Sequence, residues 1–166
     1  MSHFSDLPHF LFAPPPGCPP WVAFRPAREA DLRLLHQSCF SERPLAQFRD
    51  SFYRSIEAQR RGQRLHLLAL EGGLPTGAGQ VIAYTSSVEI ADLAVAPAHR
   101  GKGLGTALIT ILSQIAHYAG YGGVEICVMR ENERALALYR RLGFVEDREL
   151  TLTGTASVLV LYKEVL

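Results

Sequence analysis

Residues 95–108, V-A-P-A-H-R-G-K-G-L-G-T-A-L, constrain this chain more than any other stretch. The apolar run 90–95 leading into them reads as a strand, and Pro97 ends it, because proline has no amide to give a sheet ladder. Past Gly101, Gly103 and Gly105, apolar residues recur at Leu104, Leu108, Ile111 and Ile115, the spacing of one helix face. The glycines therefore stand where a strand becomes a helix. At such a junction the free N-terminal amides of the helix converge, with the positive end of its dipole behind them. It is an anion site suited to phosphate.

Two common phosphate motifs do not fit. The dinucleotide pattern G-x-G-x-x-G lacks its third glycine, since Thr106 or Leu108 falls there, and no acidic residue follows in a βαβ context. The P-loop ending G-K-S/T is absent because Gly103 follows Lys102. What remains is R-x-x-G-x-G, formed by Arg100, Gly103 and Gly105 behind a strand ending V-x-P. A second segment, residues 132–144, reads N-E-R-A-L-A-L-Y-R-R-L-G-F. In this order and spacing, the two segments resemble the acyl-CoA signature and the N-x-x-A-x-x-L-Y-x-x-L-G-F segment of the GNAT superfamily of N-acyltransferases. The resemblance runs from Trp21 to the last residue.

The pattern of elements agrees. Strands are expected at 21–25, 65–71, 80–86, 88–95, 124–129, 144–150 and 156–163, with helices at 27–39, 44–61, 104–119 and 132–142. Gly72, Gly73, Pro75, Gly77 and Gly79 mark 72–79 as a turn. The expected class is α/β (α+β): the GNAT fold, a central mixed, mostly antiparallel sheet of about seven strands flanked by about four helices. Residues 1–20 form a proline-rich N-terminal extension, which packs on the single domain 21–166 rather than acting as an export signal.

Composition excludes several classes. With 166 residues, 48% hydrophobic and 20% charged, the chain is one globular domain, and its formal net charge of +1 offers no surface for nucleic acid or membrane. Cys18, Cys39 and Cys127 are too scattered for a disulfide framework, and no Cys/His pair has zinc spacing, so no metal is expected and a reducing, cytoplasmic setting is. Nothing in the pattern opposes a homodimer.

The resemblance implies acetyl-CoA as cosubstrate and a primary amine of a small molecule or peptide as acceptor. It also implies a cofactor site at Leu93, Ala94, Val95, Arg100, Gly101, Lys102, Gly103, Leu104, Gly105, Thr106, Asn132, Ala135 and Tyr139. A non-catalytic acyl-CoA-binding regulatory module is the alternative. Amide formation from a thioester needs a base for an amine of pKa ~10, stabilisation of the carbonyl oxygen, and a donor to the leaving sulfur. Tyr139 stands at the family's tyrosine position for that donor. Two carboxylates compete for the base: Glu89 at the start of the fourth strand, and Asp92 inside I-A-D-L-A-V, where a carboxylate is expected to be buried against a partner or to face a pocket. Strand alternation puts them on opposite faces unless a bulge intervenes. Many relatives carry a glutamate where this chain has Cys127, which here is a small packing residue or, less in keeping with its surroundings, an acyl-carrying nucleophile. His99 reads as a surface loop residue. Arg49, Arg54, Arg60, Arg61 and Arg64 crowd the second helix, as a solvated face or as a wall for an acceptor bearing a carboxylate.

Overall fold

The computed structural model describes residues 3–152, 154 and 156–166; Met1 and Ser2 of the extension, with Thr153 and Thr155 of the domain, lie outside them. In chain order β1 (Val22–Pro26) is followed by a 3-10 turn (Glu29–Asp31), α1 (Leu32–Cys39), α2 (Leu45–Arg60), β2 (Arg64–Glu71), β3 (Leu74–Ala83) and β4 (Val88–Val95). A third 3-10 turn (Pro97–His99), the first being His9–Phe12 in the N-terminal segment, leads to α3 (Leu104–Tyr118), β5 (Gly123–Met129), α4 (Glu133–Arg141), β6 (Val145–Thr151) and β7 (Ser157–Glu164). The seven strands form one sheet in the order β1-β2-β3-β4-β5-β7-β6. Every neighbouring pair is antiparallel except β4 and β5, which run parallel.

Period-two alternation on β2 divides the core. Leu65, Leu67 and Ala69 face α3 with Val81, Val88, Ile90, Val124 and Ile126, whereas Leu68 and Leu70 face α1 and α2 with Phe48, Phe52 and Ile56. Helix α3 is apolar nearly all round, as a helix sunk between a sheet and a covering segment must be. Asp31 explains why the first helix starts later than 27: its carboxylate accepts from the Arg28 amide at 2.8 Å and from the Arg25 guanidinium at 2.7 and 2.8 Å, which fixes a 3-10 turn before Leu32.

The expected turn at 72–79 is corrected. Only Gly72 and Gly73, at φ 56° and 81°, make the turn, and β3 begins at Leu74. Pro75 pairs with Leu70 where the β2–β3 register shifts, a place where a missing amide is tolerated. Gly77 and Gly79 serve close packing. A Cβ on Gly79 would come within 2.8 Å of Leu93 Cδ2 and 2.9 Å of Leu112 Cδ1, and one on Gly77 would meet Leu108 Cδ1 at 3.2 Å. Glycine there lets α3 lie on the sheet.

The N-terminal segment runs over α3. The His3 and Phe4 amides donate to the Gly62 carbonyl at 2.8 and 3.0 Å, and Phe10 sets its ring edge-on to Tyr118 at 6.2 Å. Phe4 and Leu11, only 4% and 6% exposed, belong to the α3-side core. Because Leu11 is buried to that extent, Leu11→Ala is expected to cost about 2–5 kcal/mol of unfolding free energy, read from urea denaturation. A loss under about 0.5 kcal/mol would mean that the segment is not part of the core.

Candidate active site

The glycine loop follows β4. Arg100 Nε donates to the Val95 carbonyl at 3.1 Å, tying the loop back to the strand, and Gly101 (φ 74°) and Gly103 (φ 83°) take left-handed conformations that favour glycine. Gly103 is the N-cap of α3 and no side chain caps the helix. The first intrahelical bond runs from the Ala107 amide to the Gly103 carbonyl at 2.9 Å, which leaves the amides of Leu104, Gly105 and Thr106 without a helix partner. Helix α4 lies against this turn, where a Cβ on Gly105 would meet Leu138 Cδ2 in ordinary contact at 3.5 Å. From the other side the Gly17 carbonyl approaches to 3.3 Å of where a Gly103 Cβ would lie. His99 Nε2 pairs with Glu71 at 3.0 Å, which anchors the 3-10 turn to β2.

Strands β4 and β5 pair through Glu89 with Glu125 and Ile90 with Ile126, then part. A cleft of about 770 Å³ opens beyond the fork. Leu93, Ala94, Val95, Arg100, Gly101, Gly103, Leu104, Gly105, Thr106, Asn132, Ala135 and Tyr139 all line it, so the structure gathers every cofactor residue expected from sequence except Lys102, which is exposed beside them. Asn132 caps α4, its Oδ1 accepting from the Ala135 amide at 3.2 Å. Tyr139 is 8% exposed and packs against Phe144 with ring centroids 6.0 Å apart. Burial pushes its phenol above the ordinary value, so it is a proton donor throughout the neutral range.

Glu89 and Asp92 come out on one face of the sheet, contrary to simple alternation. Gln80 pairs with Ala91 and Ala78 with Ala94, so Asp92 and Leu93 together face Gly79, and Asp92 takes a left-handed φ of 50°. This bulge turns the Asp92 side chain to the α1–α2 side. The expectation that Asp92 is buried or faces the cleft is corrected: it is exposed at the rim, bonded to Gln80 Nε2 at 3.0 Å and to Arg43 at 3.4 Å. Glu89, half-buried just below the fork, accepts from the Tyr84 hydroxyl at 3.0 Å and lies near the Cys127 thiol. Glu125 is held by Arg148 at 2.9 and 3.0 Å. Of the three strand carboxylates nearest the fork, Glu89, Asp92 and Glu125, Glu89 has no cation partner. Desolvation, with the charge of Glu89 next, pushes the Cys127 thiol up to about 11. It stays protonated at neutral pH and is a poor nucleophile.

Arg49, Arg60 and Arg61 pair with Asp50, Glu29 and Glu57 and wall no acceptor space. Arg64 instead donates to Gln80 Oε1 at 2.9 Å. Arg43, which lines the cleft and stacks over Phe40 at 4.8 Å, escaped the sequence reading, as did the buried trio Ser55, His66 and Gln80. The only trace of them in sequence is the polar residues His66 and Gln80 inside otherwise apolar strands. Among the described residues no three His, Cys, Asp or Glu side chains gather as metal ligands, and no helix is long and apolar enough to cross a membrane.

With fold and cleft defined, likeness to known proteins can be placed. A GNAT-family protein from Desulfovibrio desulfuricans shares the fold with a TM-score of 0.74 at 18% identity, over 87% of this chain and 99% of that one. So does a phosphinothricin acetyltransferase from Sinorhizobium meliloti, solved in complex with acetyl-CoA, with a TM-score of 0.70 at 20% identity over 87% and 89% of the two chains. Residues 29–144 match the Acetyltransferase (GNAT) family, and the chain belongs to that family. Streptothricin acetyltransferase of Streptomyces lavendulae is 39% identical over 62 residues, 37% of this chain and 33% of that protein. The curated relatives are matched over a third of their length or less.

His66 gives the site a pH signature. It is 2% exposed, its Nδ1 lies 3.2 Å from Ser55 Oγ, and burial lowers its pKa from the ordinary 6.5 to about 4. The unfolded chain therefore binds a proton near pH 6.5 that the folded protein refuses until about pH 4. The stability owed to neutral His66 is complete above the unfolded value and lost as pH falls through this window. Urea midpoints measured from pH 7 to pH 4 should decline with a component that His66→Gln lacks; equal slopes in the two proteins would exclude a buried neutral imidazole.

Proposed function

We propose that this protein transfers an acetyl group from acetyl-CoA directly to a primary amine of a small molecule or peptide. What carries this reading is the fork between β4 and β5, with uncapped helix amides and the Tyr139 phenol in the cleft above it and Glu89 on the acceptor-facing side below. Leu104, Gly105 and Thr106 amides suit a pyrophosphate, and the inner edge of β4, unpaired beyond Ile90, offers backbone groups to an extended amide-bearing arm. Both are features of coenzyme A.

Glu89 takes a proton from the acceptor ammonium, directly or through one water, and frees the nitrogen lone pair. As the C–N bond forms and the C–S bond breaks, the Tyr139 hydroxyl donates a hydrogen bond or its proton to the departing sulfur, and the proton shed by the new amide nitrogen passes to solvent or restores the phenol. Asp92 is the weaker candidate for base, because Arg43 and Gln80 already occupy its oxygens. A protonated Cys127 argues for direct transfer without an acyl-enzyme.

Thr106→Glu tests the cofactor part. A carboxylate in the first turn of α3 favours the helix dipole, so the melting temperature should hold or rise, while coenzyme A affinity measured by calorimetry should drop by roughly tenfold or more. Unchanged affinity would remove the phosphate-site assignment.

The chemistry is tested by steady-state kinetics across a panel of alkylamines, amino acids and lysyl peptides. Tyr139→Phe and Glu89→Gln should each lower kcat by roughly 10 to 1,000-fold with coenzyme A binding retained, whereas Cys127→Ser should stay active. Coenzyme A binding without turnover of any amine by the wild-type protein would instead favour an acyl-CoA-binding module.

A further inference from the structure

Asp92 is held in a conformation that non-glycine side chains seldom adopt, at φ 50°. Something must hold it. The candidate is Gln80 on β3, 4% exposed, whose Nε2 donates to Asp92 Oδ2 at 3.0 Å. The orientation of that amide is not free. Its Oε1 accepts from Ser55 Oγ at 3.1 Å and from Arg64 Nη1 at 2.9 Å, and two donors converging on one end leave only the NH2 end for the carboxylate. Ser55, 1% exposed, is fixed in turn: its hydrogen goes to Gln80, so its oxygen accepts from His66 Nδ1–H. A directional chain of hydrogen bonds thus runs from His66 through Ser55 and Gln80 to Asp92, under α2 and across three strands.

The far end of this chain is the bulge. Leu93, Ala94 and Val95, which follow Asp92 on β4, line the cleft, whereas Gln80 does not. We propose that Gln80 is a positioning residue: oriented by Ser55 and Arg64, it fixes Asp92 in the left-handed bulge and so sets the backbone of residues 93–95 against the cofactor. Gln80 touches no substrate and acts only through Asp92. Its importance for catalysis rests on the acetyl-transfer reading above, but its structural effect is measurable without any substrate.

The experiment is amide hydrogen exchange of the full chain, resolved at residues 92–95, in wild type, Gln80→Met and Gln80→Glu. Met conserves volume but donates nothing; Glu keeps an acceptor for Ser55 and Arg64 and turns a carboxylate on Asp92. Both should speed exchange at 92–95 by about tenfold or more, leaving β2 protected, and weaken coenzyme A binding several-fold by calorimetry. In an Asp92→Gly background, where the left-handed φ needs no side-chain tether, Gln80→Met should add nothing at 92–95. Unchanged exchange at 92–95 in either folded Gln80 variant, or additive effects with Asp92→Gly, would overturn the proposal. Should Gln80→Met not fold, Gln80→Glu alone decides it. Faster exchange with no amine ever acetylated would sustain the positioning role and defeat only the proposed reaction.

Discussion

The parallel ladder between β4 and β5 extends over two residue pairs, and the rest of the site depends on that brevity. Parallel strands could pair further, but β4 bulges at Asp92 and Leu93 and leaves the sheet at Pro97, while β5 gives way to α4 soon after Met129. The backbone groups facing the gap have no strand to meet, and an unpaired edge is a docking surface. Antiparallel ladders flank the gap, β3 with β4 on one side and β5 with β7 on the other. Each half of the sheet is stiff, so the opening persists without a ligand to prop it.

The two faces at this opening differ in character. Toward α3 and α4 the wall is backbone amide, aliphatic side chain and one phenol, edged by the guanidiniums of Arg100, Arg134 and Arg141, a surface fit for a long, mostly uncharged arm ending in phosphate. Toward α1 and α2 it is ionic: Glu125 pairs with Arg148 and Asp92 with Arg43, Glu89 meets the Tyr84 hydroxyl, and Glu42 lines the cleft. Of the three strand carboxylates, cations already neutralise two. Under the proposed reaction, an ammonium reaching these strands therefore gains most beside Glu89, where it displaces no guanidinium.

The glycine loop and α4 were legible because their residue types follow from local needs: left-handed glycines, an asparagine cap, an apolar face. Gly77 and Gly79 misled for the same reason. In sequence a cluster of Gly and Pro signals a turn, yet these two answer to Leu93, Leu108 and Leu112 on other elements. Alternation failed at Asp92 because the extra residue of the bulge is visible only against the partner strand. Arg43 reaches Asp92 across 49 positions, and Gln80 is fixed by groups on α2 and β2, separations at which a single sequence carries no signal. The buried Phe4 and Leu11 sat in a proline-rich stretch whose composition gives no helix or strand period.

That stretch has a geometric consequence. Phe10 meets Tyr118 at one end of α3 and Gly17 meets Gly103 at the other, so seven peptide units travel the length of a 15-residue helix. Such a helix is about 22 Å long. The run above it is not fully extended: residues 9–12 form a short 3-10 helix and the Cys18 amide closes a turn on the Pro15 carbonyl at 3.1 Å, with Ala13 extended between them. The rings of Phe10 and Tyr118 complete the span at one end. A strap pinned at both ends of one helix links the glycine loop to the α3-side core by a route that bypasses the sheet.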